Sequence, residues 1–188
     1  VWVAVDWLYP PKCGGCQQPG TRWCPECARK AQKIDLSSIC PVCGIPQTGF
    51  HTCADCRANP PPFRELRSWA VYQGPVREAI RRLKYHSDLG LSDIFARKLA
   101  EIFIATGWVV HLVTVVPLVR GRILERGFNQ ADLLARSLAL AIQRPYRPAA
   151  LKRVRETASQ VGLNARERLQ NVQDAFEAEG DIVTAKNL

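Results

Sequence analysis

A small zinc-ribbon module followed by an α/β domain with a parallel sheet is the fold class that this sequence predicts. Three observations carry it. All eight cysteines fall in four Cys-x-x-Cys pairs between Cys13 and Cys56. A proline run, Asn59-Pro60-Pro61-Pro62, closes that stretch. Beyond it, β-branched runs alternate with helical apolar spacing, as in chains built around a parallel sheet. At 188 residues the chain can hold one ordinary domain plus a small module. Its 47% apolar and 23% charged residues are those of a globular protein, not a disordered one.

The pairs are Cys13/Cys16, Cys24/Cys27, Cys40/Cys43 and Cys53/Cys56. Two thiolates on one tight turn can face a single cation, and two such turns complete a tetrahedron. Gly14, Gly15, Pro25, Pro41 and Gly44 supply the turn chemistry. Gaps of 7 and 9 residues lie inside the first and second halves, and 12 residues separate the halves. The simplest pairing is therefore sequential, with one ribbon from the first two pairs and another from the last two; cross-bracing of the first pair with the third is the alternative. Four thiolates close the coordination shell, so the expected cofactor is two structural zinc ions. A disulfide framework would need an oxidising compartment, to which nothing in the sequence points. Cys24-Pro25-Glu26-Cys27 lacks the βαβ context and the proline placement of a thioredoxin-like site. His51 reads as a loop histidine and not a ligand.

Residues 1–58 are thus read as the double zinc ribbon and 59–62 as a stiff linker, since a proline run lacks donors. Residues 63–188 form the α/β domain. Within it Leu66 to Tyr72 reads as a strand, and Val76, Ile80 and Leu83 mark a short basic helix ending at Tyr85. Leu91 to Thr106 reads as a longer helix, with Ile94, Leu99, Ile102 and Phe103 as its buried side and Gly107 as its stop. His111 to Val116 is an almost unbroken β-branched run, expected as a central parallel strand buried on both faces. An Arg/Gly-rich loop, Pro117 to Phe128, follows. Asn129 is placed to cap a helix through Ile142 with Ala131, Leu134, Ala135 and Leu138 on one face. Ala150 to Val154 reads as a second strand, and Asn164-Ala165-Arg166-Glu167 as a capping box.

The charge is +9, from 26 basic and 17 acidic residues. Between Arg120 and Arg168 there are 11 basic and 4 acidic residues, so most of the excess sits in that segment. A concentration of arginine of this kind suits a polyanionic partner, either the phosphates of a small ligand or a nucleic acid. The longest apolar stretch, Val109 to Val119, is far short of the ~20 residues needed to span a membrane. No membrane insertion is expected, and the location read from the sequence is cytoplasmic.

Four segments together resemble the ComF family of competence-associated proteins. They are the cysteine pairs followed by Pro61-Pro62-Phe63; Tyr72-Gln73-Gly74 with Leu83-Lys84-Tyr85; Pro117-Leu118 with Arg122 and Arg126-Gly127-Phe128-Asn129-Gln130-Ala131; and Arg153, Thr157, Gln160, Leu163, Arg168 and Asn171. The Arg-Gly-Phe-Asn-Gln run is the most specific of them. Val115, Val119 and Arg120 depart from the family pattern in the first half of its loop. The resemblance implies a double zinc ribbon joined to a domain like the type I phosphoribosyltransferases. In such a fold, phosphates bind where a strand's C-terminal end leads into a helix. This makes Arg122, Arg126, Gly127 and Asn129 the candidate phosphate ligands, with arginine forks and a close backbone approach. Competence association implies single-stranded DNA as a partner, with Lys84, Tyr85, Arg126 and Arg168 as candidate contacts, and a competence or helicase-type protein as a further partner. Phosphoribosyltransferases grip phosphoribosyl pyrophosphate with two adjacent acidic residues and a Thr/Gly-rich loop, and no two acidic residues are adjacent here. Ile182 to Leu188 resembles the lead-in to that strand, so the domain is expected to be incomplete. No catalytic residue is assigned, and magnesium with phosphoribosyl pyrophosphate is expected only of a completed chain. Three functions stand at this point: handling of single-stranded DNA, phosphoribosyl transfer, and a zinc-stabilised scaffold for another protein.

Overall fold

In the computed structural model, which describes residues 10–184, the first two helices start directly on cysteines. Helix α1 (Pro25–Lys30) has Cys24 as its N-cap, proline in its first turn and Arg29 and Lys30 in its last, all favourable for so short an element. Helix α2 (Ala54–Ala58) likewise has a cysteine, Cys53, as its N-cap residue, without the first-turn proline. The turn that precedes each helix is also duplicated. Gln17 N–H donates to Cys13 O at 2.8 Å and Gly44 N–H to Cys40 O at 2.9 Å. Single antiparallel bridges, Lys12 with Pro19 and Ile39 with Pro46, close the two ribbons. The second ribbon is therefore a structural repeat of the first.

After the prolines the chain returns to the ribbons. Leu66 N–H donates to Val42 O at 2.8 Å, Ile34 N–H to Trp69 O at 3.1 Å, and Val71 N–H to Gln32 O at 2.9 Å. The strand expected over 66–72 is thus one bridge, Lys33 with Ala70, and not a ladder. Trp69 meets Trp23 edge to face, with ring centroids 6.2 Å apart. The chain divides into two compact units. One runs to Arg82 and includes Ile104–Thr106; the other holds Leu83–Phe103 and the residues from Gly107 onward. Helix α3 (Gly74–Tyr85) carries the basic stretch.

Helix α4 (Leu91–Thr106) buries Leu91, Ser92, Phe95, Ala96 and Ala100. Ile94, Leu99, Ile102 and Phe103, expected as its core side, are only half-buried. Three of the five buried residues, Ser92, Ala96 and Ala100, are small, which allows close approach but adds little apolar signal. Helix α5 (Arg120–Arg126) occupies the segment expected to be a loop, and Gly127 ends it in the left-handed region at φ 77°. Helix α6 (Gln130–Ala141) starts at Asn129, whose side chain accepts from Ala131 N–H. Helix α7 (Ala165–Val172) has the full capping box, with Asn164 and Glu167 satisfying each other's backbone N–H.

The parallel sheet needs correction. Among the described residues the one regular sheet is antiparallel, pairing β1 (Leu151–Arg153) with β2 (Phe176–Ala178). The expected strand at 150–154 forms, but its partner is the chain returning after α7. The run 111–116 makes a single parallel bridge, Val113 with Tyr146. Val113 N–H donates to Pro145 O and Arg147 N–H to Val113 O, both at 2.9 Å. Pro145 has no N–H to donate toward residue 111, and at Pro148 the chain turns into a 3-10 helix (Pro148–Ala150), so the pairing stops at one bridge. Nor is the run buried on both faces: Leu112 and Val115 are buried, whereas Val116 is 56% exposed. A short helix, α8 (Gly180–Val183), follows β2. Of the segment 182–188 that was singled out, residues 185–188 lie outside those described.

Candidate functional site

The cysteines come together in the sequential pairing. Cys13, Cys16, Cys24 and Cys27 form one group, and Cys40, Cys43, Cys53 and Cys56 the other, with the sulfurs of each group within 4.8 Å of one another. Cys16 and Cys24 sulfurs are 3.7 Å apart and those of Cys43 and Cys53 3.8 Å. A Zn–S bond of about 2.3 Å gives a tetrahedral edge of roughly 3.8 Å, so the donor sets match that ion. Backbone donors are placed alike in both groups: Cys24 N–H points to the Cys13 sulfur and Cys53 N–H to the Cys40 sulfur, each at 3.4 Å.

These bonds set the acidities. Burial pushes the Cys13 thiol up, but the N–H groups of Cys24, Cys16 and Gly15 outweigh it and bring the pKa down to about 6. Cys40 reaches about 6 for the same reason, through Cys53, Cys43 and Val42. Burial and the neighbouring sulfurs push Cys27 well up and Cys56 to about 12. A dication at the centre supplies the charge that ionises the reluctant thiols. The two cysteine groups fit two structural zinc ions, since four sulfurs leave no position open for substrate. His51 is exposed and belongs to neither group.

The basic candidates lie on α3, α5, α7 and the turn between α5 and α6. Arg122 and Arg126, four residues apart, share one face of α5. The Arg126 guanidinium stands 4.9 Å from the centroid of the Tyr85 ring, a cation–π pair. Arg126 donates to Gln130 Oε1 at 3.0 Å, while its Nε is buried with no partner. Arg122 pairs with Glu125 at 2.8 Å and reaches Ser159 Oγ at 3.5 Å. Asn129 caps α6 and donates from Nδ2 to Val116 O at 3.3 Å. Gly127 stands between the two helices with nothing within 4 Å of where a Cβ would lie. Lys84 is half-buried beside Tyr85, which is 60% exposed. Arg168 stands exposed on α7. The structure thus joins Tyr85 to Arg126 and sets Arg122, Gly127 and Asn129 along the same stretch of chain.

Sequence reasoning assigned no role to Gln130 and Arg153. Arg153 donates to Pro117 O through Nε and Nη2, both at 3.1 Å, and to Thr157 Oγ1 at 3.1 Å. Both residues lie inside segments that had been singled out, but their partners are 4 to 36 positions away, which spacing alone does not reveal. No helix among the described residues is long and apolar enough to cross a membrane.

Residues 4–57 match the double zinc ribbon domain family. The chain is 34% identical over 180 residues to DNA utilization protein YhgH of Escherichia coli (strain K12), covering 90% of this chain and 78% of that protein. It is 34% identical over 128 residues to Competence protein ComFC of Bacillus subtilis (strain 168), covering 64% of this chain and 53% of that protein. To Competence protein F of Haemophilus influenzae it is 28% identical over 171 residues, 87% of this chain and 68% of that one. No solved structure gives a significant match.

Proposed function

The chain belongs to the ComF family, and from that premise we propose that it handles single-stranded DNA during uptake, in the cytoplasm, by gripping phosphates with the arginines of α5 and stacking a base on Tyr85. The observation that carries this reading is the Arg126–Tyr85 pair at 4.9 Å, a fixed cation beside a largely exposed aromatic ring. Single-strand binders combine a basic track with aromatic platforms in this way. The names of the relatives, DNA utilization and competence proteins, point in the same direction. Lys84 and Arg168 extend the basic surface, and the zinc ribbons serve as a rigid structural module. A labelled oligothymidylate, followed by fluorescence anisotropy, tests the reading. Arg126→Ala is expected to weaken binding about tenfold, the worth of roughly one charged hydrogen bond. Equal affinity of the variant and the parent would refute it.

A second reading has its own support. The segment 63–188 is then a phosphoribosyltransferase-like domain in which Arg122, Arg126, Gly127 and Asn129 meet the phosphates of phosphoribosyl pyrophosphate with magnesium. Its support is the capped start of α6 directly after Arg126 and Gly127, since the N–H groups of a helix N-terminus favour phosphate. With no adjacent acidic residues among these 188 to hold the ribose, binding is expected to be weak. Titration calorimetry giving micromolar affinity would place this reading first.

A further inference from the structure

Arg153 differs from every other arginine of the basic segment in having all three guanidinium nitrogens hydrogen-bonded within the protein. Nε and Nη2 converge on one acceptor, the carbonyl oxygen of Pro117, at 3.1 Å each. Nη1 donates to Thr157 Oγ1 at 3.1 Å, and the guanidinium carbon lies 4.4 Å from the centroid of the Phe176 ring. The group is half-buried, and burial lowers its pKa. Pro117 leads into the basic site, since two residues beyond it Val119 is the N-cap residue of α5, which carries Arg122 and Arg126. The far side of this strut is fixed as well. The Asn171 side chain closes a two-way pair with Ala158, accepting from its N–H at 3.1 Å and donating to its oxygen at 2.9 Å. Arg155 donates to Asn171 O at 3.1 Å and to Gln173 O, satisfying carbonyls at the end of α7. The loop 154–160 is thereby held to α7, and Ser159 on it reaches Arg122.

We propose that Arg153 is a positioning residue, not an anion ligand: it fixes Pro117 against β1 and so sets the place of Arg122 and Arg126 for phosphate. This rests on the reading of α5 as a phosphate grip. Lysine cannot reproduce a fork that puts two donors on one carbonyl and a third on Thr157, so Arg153→Lys keeps the charge and loses the geometry.

The test is a double-mutant cycle on oligothymidylate affinity, using Arg153→Lys, the pair Arg122→Ala/Arg126→Ala and all three together, with a melting curve for each. Arg153→Lys is expected to weaken binding about fivefold with an unchanged salt slope, since no phosphate contact is removed. It should have no further effect in the Arg122→Ala/Arg126→Ala background, where both arginines that it positions are gone. Additive losses would show that Arg153 touches the ligand itself and would overturn the proposal. Unchanged affinity of Arg153→Lys beside a weakened Arg122→Ala/Arg126→Ala would also overturn it while leaving the phosphate grip standing. If Arg122→Ala/Arg126→Ala itself binds normally, the grip fails and this inference fails with it.

Discussion

Gly44 and Gly127 both sit at positive φ, 69° and 77°, yet a methyl group would meet different surroundings at each. At Gly127 it would meet nothing within 4 Å, so Gly127→Ala should cost about 1 kcal/mol, the left-handed penalty alone. At Gly44 it would lie 2.5 Å from the Leu66 carbonyl oxygen, in a turn of the second ribbon. Gly44→Ala should therefore cost more than 2 kcal/mol, or roughly twice the Gly127 value or beyond, because backbone must move. Chemical denaturation of the two zinc-loaded variants checks this, and equal losses would contradict it. Asn129 gives a second comparison. Asn129→Asp keeps the cap but loses the Nδ2 bond to Val116 O and places negative charge where phosphate is expected, so the melting temperature should fall slightly while oligonucleotide binding falls much more. If Asn129→Asp binds the oligonucleotide as well as the parent, Asn129 does not face phosphate. Asn129, Asn164 and Glu167 were legible in the sequence because a cap acts across two or three residues of chain. The joining of Arg126 to Tyr85 was not, because 41 positions separate them and only the fold brings them together.

The zinc ribbons are the elements that the sequence states most fully, since ligand spacing and turn residues are both local. Cys16 is exposed, so Cys16→Ser disturbs little packing. It should reduce bound zinc by one ion and leave the second group, Cys40 to Cys56, loaded. Metal analysis showing both ions lost would mean that the ribbons fold as one unit. Acid should act on both. In the loaded state the thiolates stay ionised far below the ordinary cysteine pKa of about 8.5, so the folded state binds fewer protons than the unfolded chain. That stabilisation is present above the unfolded pKa and is lost as pH falls. Release should proceed as pH falls below the ordinary cysteine range, because protons then compete with zinc for the eight thiolates. A chromogenic chelator reports it, and zinc retained through pH 4 would contradict the assignment. The strands were less legible. A β-branched run such as 111–116 shows a preference for extended chain, but its pairing depends on a distant partner, and here that partner is bracketed by Pro145 and Pro148. Helix α5 escaped notice because Gly121 and four charged residues in seven leave it no apolar periodicity.

Over the whole molecule the charge map is the most consequential feature: +9 in all, with 11 basic and 4 acidic residues between Arg120 and Arg168. Some of these cations are already engaged. Arg136 is paired with Asp132 at 2.7 Å, Lys152 with Glu179, and Arg153 with the Pro117 carbonyl. The cations left for a polyanion are then fewer than the charge count suggests; Arg168 is exposed, and Arg126, though held by Gln130 and Tyr85, has no acidic partner in the ion pairs described. The most direct measurement is the affinity for a labelled single-stranded oligonucleotide at several salt concentrations, for the parent and for Arg126→Ala/Arg168→Ala, each beside its melting curve. Each phosphate neutralised contributes about −0.7 to the log–log slope for single strands. The double variant should flatten the slope by roughly one to two units for every base sequence tried, with little change in melting temperature, because phosphate contacts carry no base information. An unchanged slope with a lowered melting temperature would show that these arginines stabilise the fold and never meet DNA.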